Sequence, residues 1–538
     1  MTISTIYRGV QGNSSAQFAI GDAFTTAQNN DDSLNITKPE RITNVAALRL
    51  LDKTKINSAE TNGYYTAGDG GHGEYWYDAT DVVTADNGFT VIVGADGGRW
   101  KLRVANGSAN VKQAGATGDG TTNDATFIQV AITACATLSA PLIFPSGNYR
   151  LLTYVTIPSN STLVGENGAQ IYLDPAVTLG ASIGGTARAI YASTAVNISI
   201  SGIRFYSIKT GLTKAVTMCL NAVTKLTIDR CTFENMGDVT YYCQGLIVYN
   251  STDVRVTRSK FYNNSGDGLA FSNSVINYHV SENEFNLNGD WGFALVVGCN
   301  NGTVSNNYIL NNTSTGTGVD RCSNVEFSGN IINSNEHGIR IAEFAVSAEK
   351  NSHITIVGNN ITNVQVAGVS IESMKAAYGQ YTVIGNAIEG STNQGIRVID
   401  AEVGTIVGNT IYSCTGDGIL FSADTAGRVT GQAVISGNKI HTCLNGIRQL
   451  AGAGTTSGIT IGINDIGPVS AAAVAMLSGT SMDSSNSSYI SFSKTLDFPS
   501  GITAATATGG GIVPPANVQG YLPFYMGGIL RKIPFYND

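Results

Sequence analysis

A short motif recurs through most of the second half of this 538-residue chain. An asparagine stands two residues before a phenylalanine or isoleucine at eight places, spaced 23 to 29 residues apart. The eight are Asn283, Asn307, Asn330, Asn359, Asn386, Asn409, Asn438 and Asn464. Other residues take this slot upstream, before Phe205, Phe233 and Phe261. Self-similarity at this period predicts a solenoid, in which each repeat packs against its neighbours.

A column of glycines follows the asparagines and indicates which kind of solenoid forms. Its predicted members are Gly268, Gly292, Gly318, Gly338, Gly368, Gly395, Gly418 and Gly446. Runs such as ITIVGNNI, GIRVI and GILFS alternate apolar and polar residues, which favours strands, and the leucine-rich repeat frame is missing. We therefore predict a parallel β-helix with rungs about 4.8 Å apart, asparagine ladders at one corner and glycines of positive φ at another.

One amphipathic helix is predicted at the entry to the repeats, near residues 122–136. Thr122 or Asn123 is its predicted N-cap. Its apolar face comprises Phe127, Ile128, Val130, Ala131 and Ile132. Such a helix would cover the open hydrophobic end of the solenoid.

The same entry segment carries a family resemblance. Residues 111–136 read VKQAGATGDGTTNDATFIQVAITACA, and FPSGNY follows at 144–149. With these motifs, residues 111–174 resemble the start of the pectate-lyase-like right-handed β-helix superfamily, especially its branch of bacteriophage tailspikes and capsular polysaccharide depolymerases. Residues 42–104 resemble the small domain that precedes the β-helix in those proteins, and residues 513–538 resemble their short β-rich tails.

The resemblance implies an all-β chain, a right-handed single-stranded parallel β-helix with small N-terminal and C-terminal β-rich domains. We expect an N-terminal arm or virion-attachment segment at 1–40 and a small domain at 41–109. The β-helix is expected at 110–470 and a C-terminal trimerisation region at 471–538. That last region is rich in apolar and aromatic residues, which would leave a large exposed apolar patch on a monomer. Three-fold symmetry is what the resemblance implies.

Composition excludes several classes of protein. The net charge is −8 and no Lys/Arg-rich run exists, so a nucleic-acid partner is not expected. The sequence lacks a run of eighteen apolar residues, so membrane insertion is not expected. It also shows no apolar leader segment, so a secretion signal is not expected. The eight cysteines lack metal-site spacing, so we expect buried thiols, no metal and no cofactor.

The predicted outward positions of the rungs carry most of the charge in the repeats. In the run GIRI, the period of two points Ile339 and Ile341 inward and Arg340 outward. Glycoside hydrolysis needs one protonated carboxyl and one ionised carboxylate, and stacked rungs offer spacings of about 5 Å or about 10 Å. The candidate catalytic residues are Asp267, Asp290 and Glu336. The candidate substrate-binding residues are Trp291, Asp320, His337, Arg340, Glu343 and Glu372.

A structural alternative accompanies each of these candidates. Aspartate before glycine is a common turn residue, Trp291 can pack under a loop, and Asp320 with Arg340 can form a cross-rung ion pair of little energetic value. The longest repeats gain residues at 342–353, 372–380 and 422–432, and insertions on one face of a solenoid often form its binding wall. Glu343 and Glu372 begin two of these insertions.

Three functions remain open from the sequence. The resemblance favours a phage tailspike that binds and depolymerises a bacterial capsule, exopolysaccharide or O-antigen by endo-glycosidic hydrolysis. A polysaccharide lyase and a non-catalytic receptor-binding adhesin on the same fold are the alternatives. The paired-aspartate motif of polygalacturonases is missing. The expected protein is a homotrimer made in the host cytoplasm, joined to the phage tail or baseplate by its N-terminus and acting at the bacterial surface.

Overall fold

The structure is a computed structural model that describes residues 38–475 with short gaps, and the backbone of two strands nearer the C-terminus. The gaps are 105–106, 181, 184–185, 210–216, 239, 241, 344–350, 373, 375–379, 426–428 and 451. The predicted arm at 1–40 lies outside the described residues except for its last three. So does most of the predicted C-terminal region at 471–538.

A small sheet forms first. Its five strands, in spatial order, are Glu40–Ile42, Ser58–Thr61, Gly73–Tyr77, Arg99–Leu102 and Val91–Val93. The first pair is parallel and the other pairs are antiparallel. The short helix Val45–Leu48 follows the first strand, and the Asn44 side chain caps it by accepting from the Ala47 N–H at 2.9 Å. Tyr75, Phe89 and Trp100 fill the interior of this sheet domain.

The predicted helix at the entry to the repeats is present at Ala125–Leu138, after the 3₁₀ turn Val111–Ala114. The predicted caps are wrong, because Asp124 holds the N-cap position and its carboxylate turns back to the preceding loop. That carboxylate accepts hydrogen bonds from the backbone N–H groups of Thr117 at 2.7 Å and Gly118 at 3.0 Å. Asp124 is fully buried, so it ties the glycine-rich turn to the helix.

The rest of the described body is a parallel β-helix with three stacks of strands, and all pairs within the stacks are parallel. Stack one contains Val155–Thr156, Leu246–Tyr249, Leu269–Ser272, Phe293–Val296, Thr315–Asp320, His337–Ala342, Ala367–Glu372, Gln394–Ile399, Ile419–Ser422, Ile447–Leu450 and Val474–Ala475. Stack two contains Ala109–Asn110, Leu142–Phe144, Thr162–Gly165, Thr252–Thr257, Ile276–Ser281, Asn300–Ser305, Ser323–Ser328, Ser352–Val357, Tyr381–Ile384, Glu402–Val407, Val429–Ser436, Thr455–Ser457 and Thr460–Ile461. The long strands Ile190–Ser201 and Met218–Asp229 run through both stacks.

Stack three closes each rung. Its strands are Asp119–Asn123, Gly147–Thr153, Ala169–Thr178, Arg204–Tyr206, Thr232–Glu234, Lys260–Tyr262, Glu284–Asn286, Tyr308–Leu310, Ile331–Asn333, Asn360–Thr362, Ala387–Glu389, Thr410–Tyr412, Lys439–His441 and Asp465–Ile466. A small hairpin of Ser182–Ile183 and Thr186–Ala187 lies outside the stacks. The parallel β-helix predicted from the repeats is confirmed.

The asparagine column forms the predicted ladder inside the body. From Asn283 to Asn464 every member is buried, and each Nδ2 donates to the Oδ1 of the next at 2.8–3.0 Å. The left-handed backbone angle falls on the preceding residue instead, for example Gly358 at φ +63°. A second buried ladder joins Asn264, Asn288, Asn312 and Asn335.

The corner glycines have a different role from the one predicted. Gly338 and Gly418 have no positive φ. A Cβ at Gly338 would lie 2.4 Å from the carbonyl oxygen of Gly368, so close approach of neighbouring rungs excludes a side chain. The prediction that Gly318 belongs to the corner glycine column is also wrong, because Gly316 occupies that position of the column. The run TGTGVD offers two glycines and the sequence alone does not choose between them.

Apolar side chains fill the interior along the whole coil. Phe205, Phe233, Phe261 and Phe285 stack with ring centroids 5.0–5.1 Å apart, and isoleucines continue their column. All eight cysteines are buried, as predicted, and none forms a disulfide bond. Nearer the C-terminus, the strands Gly520–Met526 and Ile529–Phe535 form a separate antiparallel hairpin.

Candidate active site

The outward surface of stack one carries six of the nine predicted site residues in three neighbouring columns. The corner column precedes the glycines and contains Asp267, Trp291, Thr315, His337, Ala367, Gln394, Asp417 and Asn445. The floor column contains Ile247, Ala270, Ala294, Gly318, Arg340, Ser370, Arg397, Leu420 and Arg448. The edge column contains Tyr249, Ser272, Val296, Asp320, Ala342, Glu372, Ile399, Ser422 and Leu450.

Asp267 and Asp290 lie at the corner on consecutive rungs. Asp267 Oδ1 accepts a hydrogen bond from the backbone N–H of Trp291 at 3.1 Å. The Tyr242 hydroxyl donates to Asp290 Oδ2 at 3.1 Å and also interacts with the Asp267 carboxyl. One phenol therefore links the two carboxyl groups.

The surroundings of these two carboxyl groups raise both pKa values. Asp267 is 7% exposed, and burial, followed by the charge of Asp290, raises the pKa of Asp267 to about 7. Asp290 is half-buried; burial raises its pKa, while hydrogen bonds from Tyr242 and Ser314 oppose the rise. Burial of the hydroxyl and the nearby carboxylates raise the pKa of Tyr242, whose ring is half exposed, so the phenol stays protonated. The Asp267 carboxyl is thus suited to carry a proton near neutral pH. The Asp290 carboxyl receives hydrogen bonds that favour its ionised form.

Glu336 continues the line of Asp290 along the coil. The backbone N–H of Ser314 donates to the Asp290 carbonyl at 3.2 Å, and that of Glu336 donates to the Ser314 carbonyl at 2.7 Å. Asp290 and Glu336 are therefore two rungs apart in one column, a separation of about 10 Å. Glu336 is half-buried.

Small side chains form the floor beside the carboxyl pair. Ala270, Ala294 and Gly318 occupy three successive rungs of the floor column, between the corner column and the edge column. Trp291 lies in the corner column beside Ala294 and is 7% exposed. Tyr249, in the edge column of the preceding rung, packs against Ile247 and Ala270. The floor beside the two aspartates is therefore made of small side chains.

Two predicted binding residues belong to a charged cluster further along the floor. Arg340 Nη2 donates to Glu372 Oε2 at 2.9 Å, and Arg397 Nη2 donates to Glu372 Oε1 at 2.8 Å. The Ser370 hydroxyl donates to the same Oε1 at 2.7 Å. Burial alone would raise the pKa of Glu372, but these hydrogen bonds and charges lower it. Burial and then the charge of Arg340 lower the pKa of His337 to about 4, so His337 is neutral at neutral pH.

Asp320 lies apart from this arrangement. It was expected in the column of Arg340, but the register places Gly318 there and Asp320 in the edge column, where it is 2% exposed. Its carboxylate binds the neighbouring Arg321 in a bidentate pair at 2.7 and 3.0 Å, and no cross-rung pair with Arg340 is described. Asp320 therefore stays a binding candidate only as a member of the edge column.

The predicted insertion wall is described only in part. Glu343 follows the strand His337–Ala342 and is half-buried, but 344–350 and most of 373–379 lie outside the described residues. Sequence reasoning did not select Tyr242, Ser314 or Arg397 as site residues. Arg397 stands in the run GIRV at the position that Arg340 holds in GIRI, so the repeat could have indicated it. Tyr242 precedes the regular columns, and no sequence pattern marks it.

The described residues show neither a metal site nor a membrane span. No group of three or more His, Cys, Asp or Glu side chains in that part of the chain is placed to hold a metal ion. No helix there is long and apolar enough to cross a membrane.

Comparison with known proteins identifies the fold family. A family model described as a right-handed β-helix region matches residues 143–301, 244–377 and 341–488, which together span 143–488. The chain belongs to the right-handed β-helix family. Residues 41–106 match a second model, the small four-stranded β-sheet domain of phage tail proteins. The predicted hand of the β-helix and the resemblance to phage tailspikes are thereby confirmed.

Solved structures of other proteins resemble the chain in fold. Tailspike protein 2 of an Escherichia coli bacteriophage, CAB120, matches with a TM-score of 0.53 and 15% identity over 75% of this chain. This chain spans 54% of that tailspike. The mannuronan C-5 epimerase AlgE6 A-module of Azotobacter vinelandii matches with a TM-score of 0.46 and 22% identity, covering 70% of this chain and 99% of that module.

Proposed function

We propose that this right-handed β-helix is the depolymerising part of a phage tailspike and cleaves a bacterial surface polysaccharide by endo-glycosidic hydrolysis. The observation that carries the proposal is the pair of Asp267 and Asp290, linked by Tyr242 beside the small side chains of the floor column. The phage-tail sheet domain at 41–106 supports a place on the virion. The tailspike likeness supports a glycan as ligand.

The two aspartates can divide the work of glycoside cleavage. Asp267, with its raised pKa, donates its proton to the oxygen of the scissile bond as that bond to the anomeric carbon breaks. Asp290, which accepts the Tyr242 hydrogen bond, supplies the carboxylate that attacks the anomeric carbon. Water then hydrolyses the resulting ester, and Asp267 takes one proton from that water. Both aspartates are regenerated and one water is consumed per bond.

The spacing of the carboxylates bears on the stereochemical outcome. Asp267 and Asp290 are one rung apart, and a separation near 5 Å suits retention of the anomeric configuration. Asp290 and Glu336 are two rungs apart, which suits inversion with an intervening water. The link through Tyr242 favours the closer pair, so we propose retention.

A lyase is the second candidate, and the arginines of the floor column favour it. β-Elimination beside a sugar carboxylate needs a cation near that carboxylate and a base for the adjacent proton. Arg340 and Arg397 offer such cations two rungs or more from Asp290. Their distance from the carboxyl pair makes hydrolysis the better proposal.

Reducing-end release from purified surface polysaccharides of sensitive hosts tests the proposal. We expect saturated oligosaccharide products from wild type and strongly reduced release from Asp290→Asn. Unsaturated products that absorb ultraviolet light would contradict the hydrolysis proposal and show that the enzyme is a lyase. Binding of the polysaccharide without release, equal in wild type and Asp290→Asn, would establish the adhesin instead.

We further propose that the working unit is a homotrimer attached to the tail through its N-terminal region. The support is the tailspike likeness and the apolar C-terminal sequence, which includes Tyr521, Phe524 and Phe535. Light scattering on the intact chain is expected to give three times the chain mass, and a chain ending at residue 475 is expected to give a smaller assembly. A monomeric intact chain would contradict this proposal.

A further inference from the structure

Tyr242 presents an exposed aromatic ring beside the carboxyl pair. The residue is 50% exposed. Its hydroxyl donates to Asp290 Oδ2 at 3.1 Å and interacts with the Asp267 carboxyl. The polar end of the side chain therefore lies against the two carboxyl groups, while much of the ring meets solvent.

The ring is held in place by a glycine and by backbone hydrogen bonds. A Cβ at Gly266 would lie 2.7 Å from Cε1 and 2.8 Å from Cζ of Tyr242, so the ring occupies space that only a glycine leaves open. The Gly266 N–H donates to the Cys243 carbonyl at 2.9 Å, and the Cys243 N–H donates to Ser265 Oγ at 3.0 Å. These contacts join the segment that carries Tyr242 to the rung that carries Asp267, so the ring is positioned before any ligand binds.

A structural role alone explains only part of this arrangement. A tyrosine that supports a fold usually buries its apolar ring and turns its hydroxyl toward water, because burial of the ring supplies most of the stabilisation. Tyr242 does the reverse, since its hydroxyl contacts Asp267 and Asp290 and apolar surface of its ring stays in water. Exposed apolar surface beside a candidate catalytic pair is suited to contact with a ligand that has an apolar face.

A pyranose ring has such a face. Its ring C–H groups form an apolar surface between the hydroxyl groups, and carbon atoms of two such surfaces pack at about 3.5–4 Å. The Tyr242 hydroxyl is 3.1 Å from Asp290 Oδ2, so a sugar stacked on the Tyr242 ring would lie beside the carboxyl pair.

We propose that the exposed ring of Tyr242 is a sugar-stacking subsite, which binds the C–H face of a pyranose unit next to the scissile bond. This inference rests on the proposed function, because it names the class of ligand that the carboxyl pair receives and the surface that holds it. Gly266 leaves the space in which the ring lies, so a larger side chain there would displace the subsite.

Binding of surface polysaccharide purified from a sensitive host tests the subsite. All variants are made in the full chain carrying Asp290→Asn, which keeps an oxygen acceptor for the Tyr242 hydroxyl and slows cleavage during the measurement. We expect Tyr242→Leu to weaken binding about 10-fold or more, and Tyr242→Phe, which keeps the ring, to bind within about 2-fold of its parent. Gly266→Ala should also weaken binding, because the new Cβ displaces the ring while the backbone, which has no positive φ, accepts alanine.

Tyr308→Leu is the matched control, because Tyr308 is 53% exposed and lies on stack three. Its polysaccharide binding should equal that of the parent, and the melting temperatures of all variants check their folding. A loss of binding in Tyr242→Leu that Tyr242→Phe restores identifies the ring, rather than the hydroxyl, as the binding surface.

Two results would overturn the inference and leave the hydrolase proposal intact. They are unchanged binding in Tyr242→Leu and equal losses in Tyr242→Leu and Tyr242→Phe, each with reducing-end release by the wild-type chain. Ring-dependent binding without any reducing-end release by wild type would contradict hydrolysis and support the subsite. Failure of the parent to bind the polysaccharide would overturn the inference.

Discussion

Asp267→Asn is expected to lower the rate of glycan cleavage by roughly 10²- to 10⁴-fold while the protein stays folded. The amide is the same size as the carboxyl and still accepts from the Trp291 N–H, but it has no acidic proton for the leaving oxygen. The measurement is reducing-end release at saturating polysaccharide. Glu389→Gln, an exposed acid on stack three, should leave the rate unchanged.

The pH dependence of this variant separates a catalytic role from a structural one. The pKa of Asp267 is about 7 in the folded protein, so wild-type activity should fall as pH rises through 7. The raised pKa also means that the stability contributed by this group is complete below the ordinary aspartate range and is lost as pH rises to about 7. Its ionisation can destabilise wild type by at most about 4 kcal/mol at pH 8. The melting temperature of Asp267→Asn relative to wild type should therefore be higher at pH 8 than at pH 5. Full activity in Asp267→Asn, or no change in relative melting with pH, would remove Asp267 from the proposed role.

Asn359→Ala is expected to reduce the free energy of unfolding by about 4 kcal/mol. The Asn359 Nδ2 donates to the Phe327 carbonyl and to Asn386 Oδ1, each at 2.9 Å. Its Oδ1 accepts from the backbone N–H and the Nδ2 of Asn330 at 3.0 and 2.8 Å. Alanine removes these four bonds and a fifth, from Nδ2 to the Val357 carbonyl at 3.2 Å. It leaves several buried groups unpaired, each costing about 1–3 kcal/mol before relaxation. Denaturant unfolding measures the change.

Asn360→Ala is the control for the ladder. Asn360 is the next residue along the chain, its side chain is exposed, and it lies outside the ladder, so its loss should change stability by less than about 0.5 kcal/mol. Equal effects of the two substitutions would show that the buried ladder contributes no more than surface asparagines do.

The periodic features of the chain could be predicted because the same contact recurs at every rung. The places held by Asn330 and Ile332 are filled by the same residue types on successive turns, so the repeat remains recognisable even where one turn is irregular. The register of a single irregular turn cannot be inferred in this way. The two glycines of TGTGVD left the register of that rung ambiguous by two residues. The sequence therefore predicted Asp320 beside Arg340, whereas in the structure Gly318 lies beside Arg340 and the Asp320 carboxylate pairs with Arg321.

The chemistry of the site depended on contacts that no period encodes. Asp267 and Asp290 were selected as acids near corner glycines, and the sequence indicated their consecutive rungs. The raised pKa of Asp267 depends on burial and on a phenol from Tyr242, which reaches the pair from an irregular segment. Such a partner is far in sequence and belongs to no column, so only the folded chain reveals it.

The direction of the asparagine ladder implies an order of assembly. From Asn283 to Asn438, each ladder asparagine donates its backbone N–H and one side-chain N–H to the Oδ1 of the asparagine on the following rung. A chain that folds from its N-terminus would thus always end in donors without acceptors, and the next turn would supply those acceptors. We therefore expect each completed turn to present donors on which the next turn can assemble, in the order in which the ribosome delivers the turns.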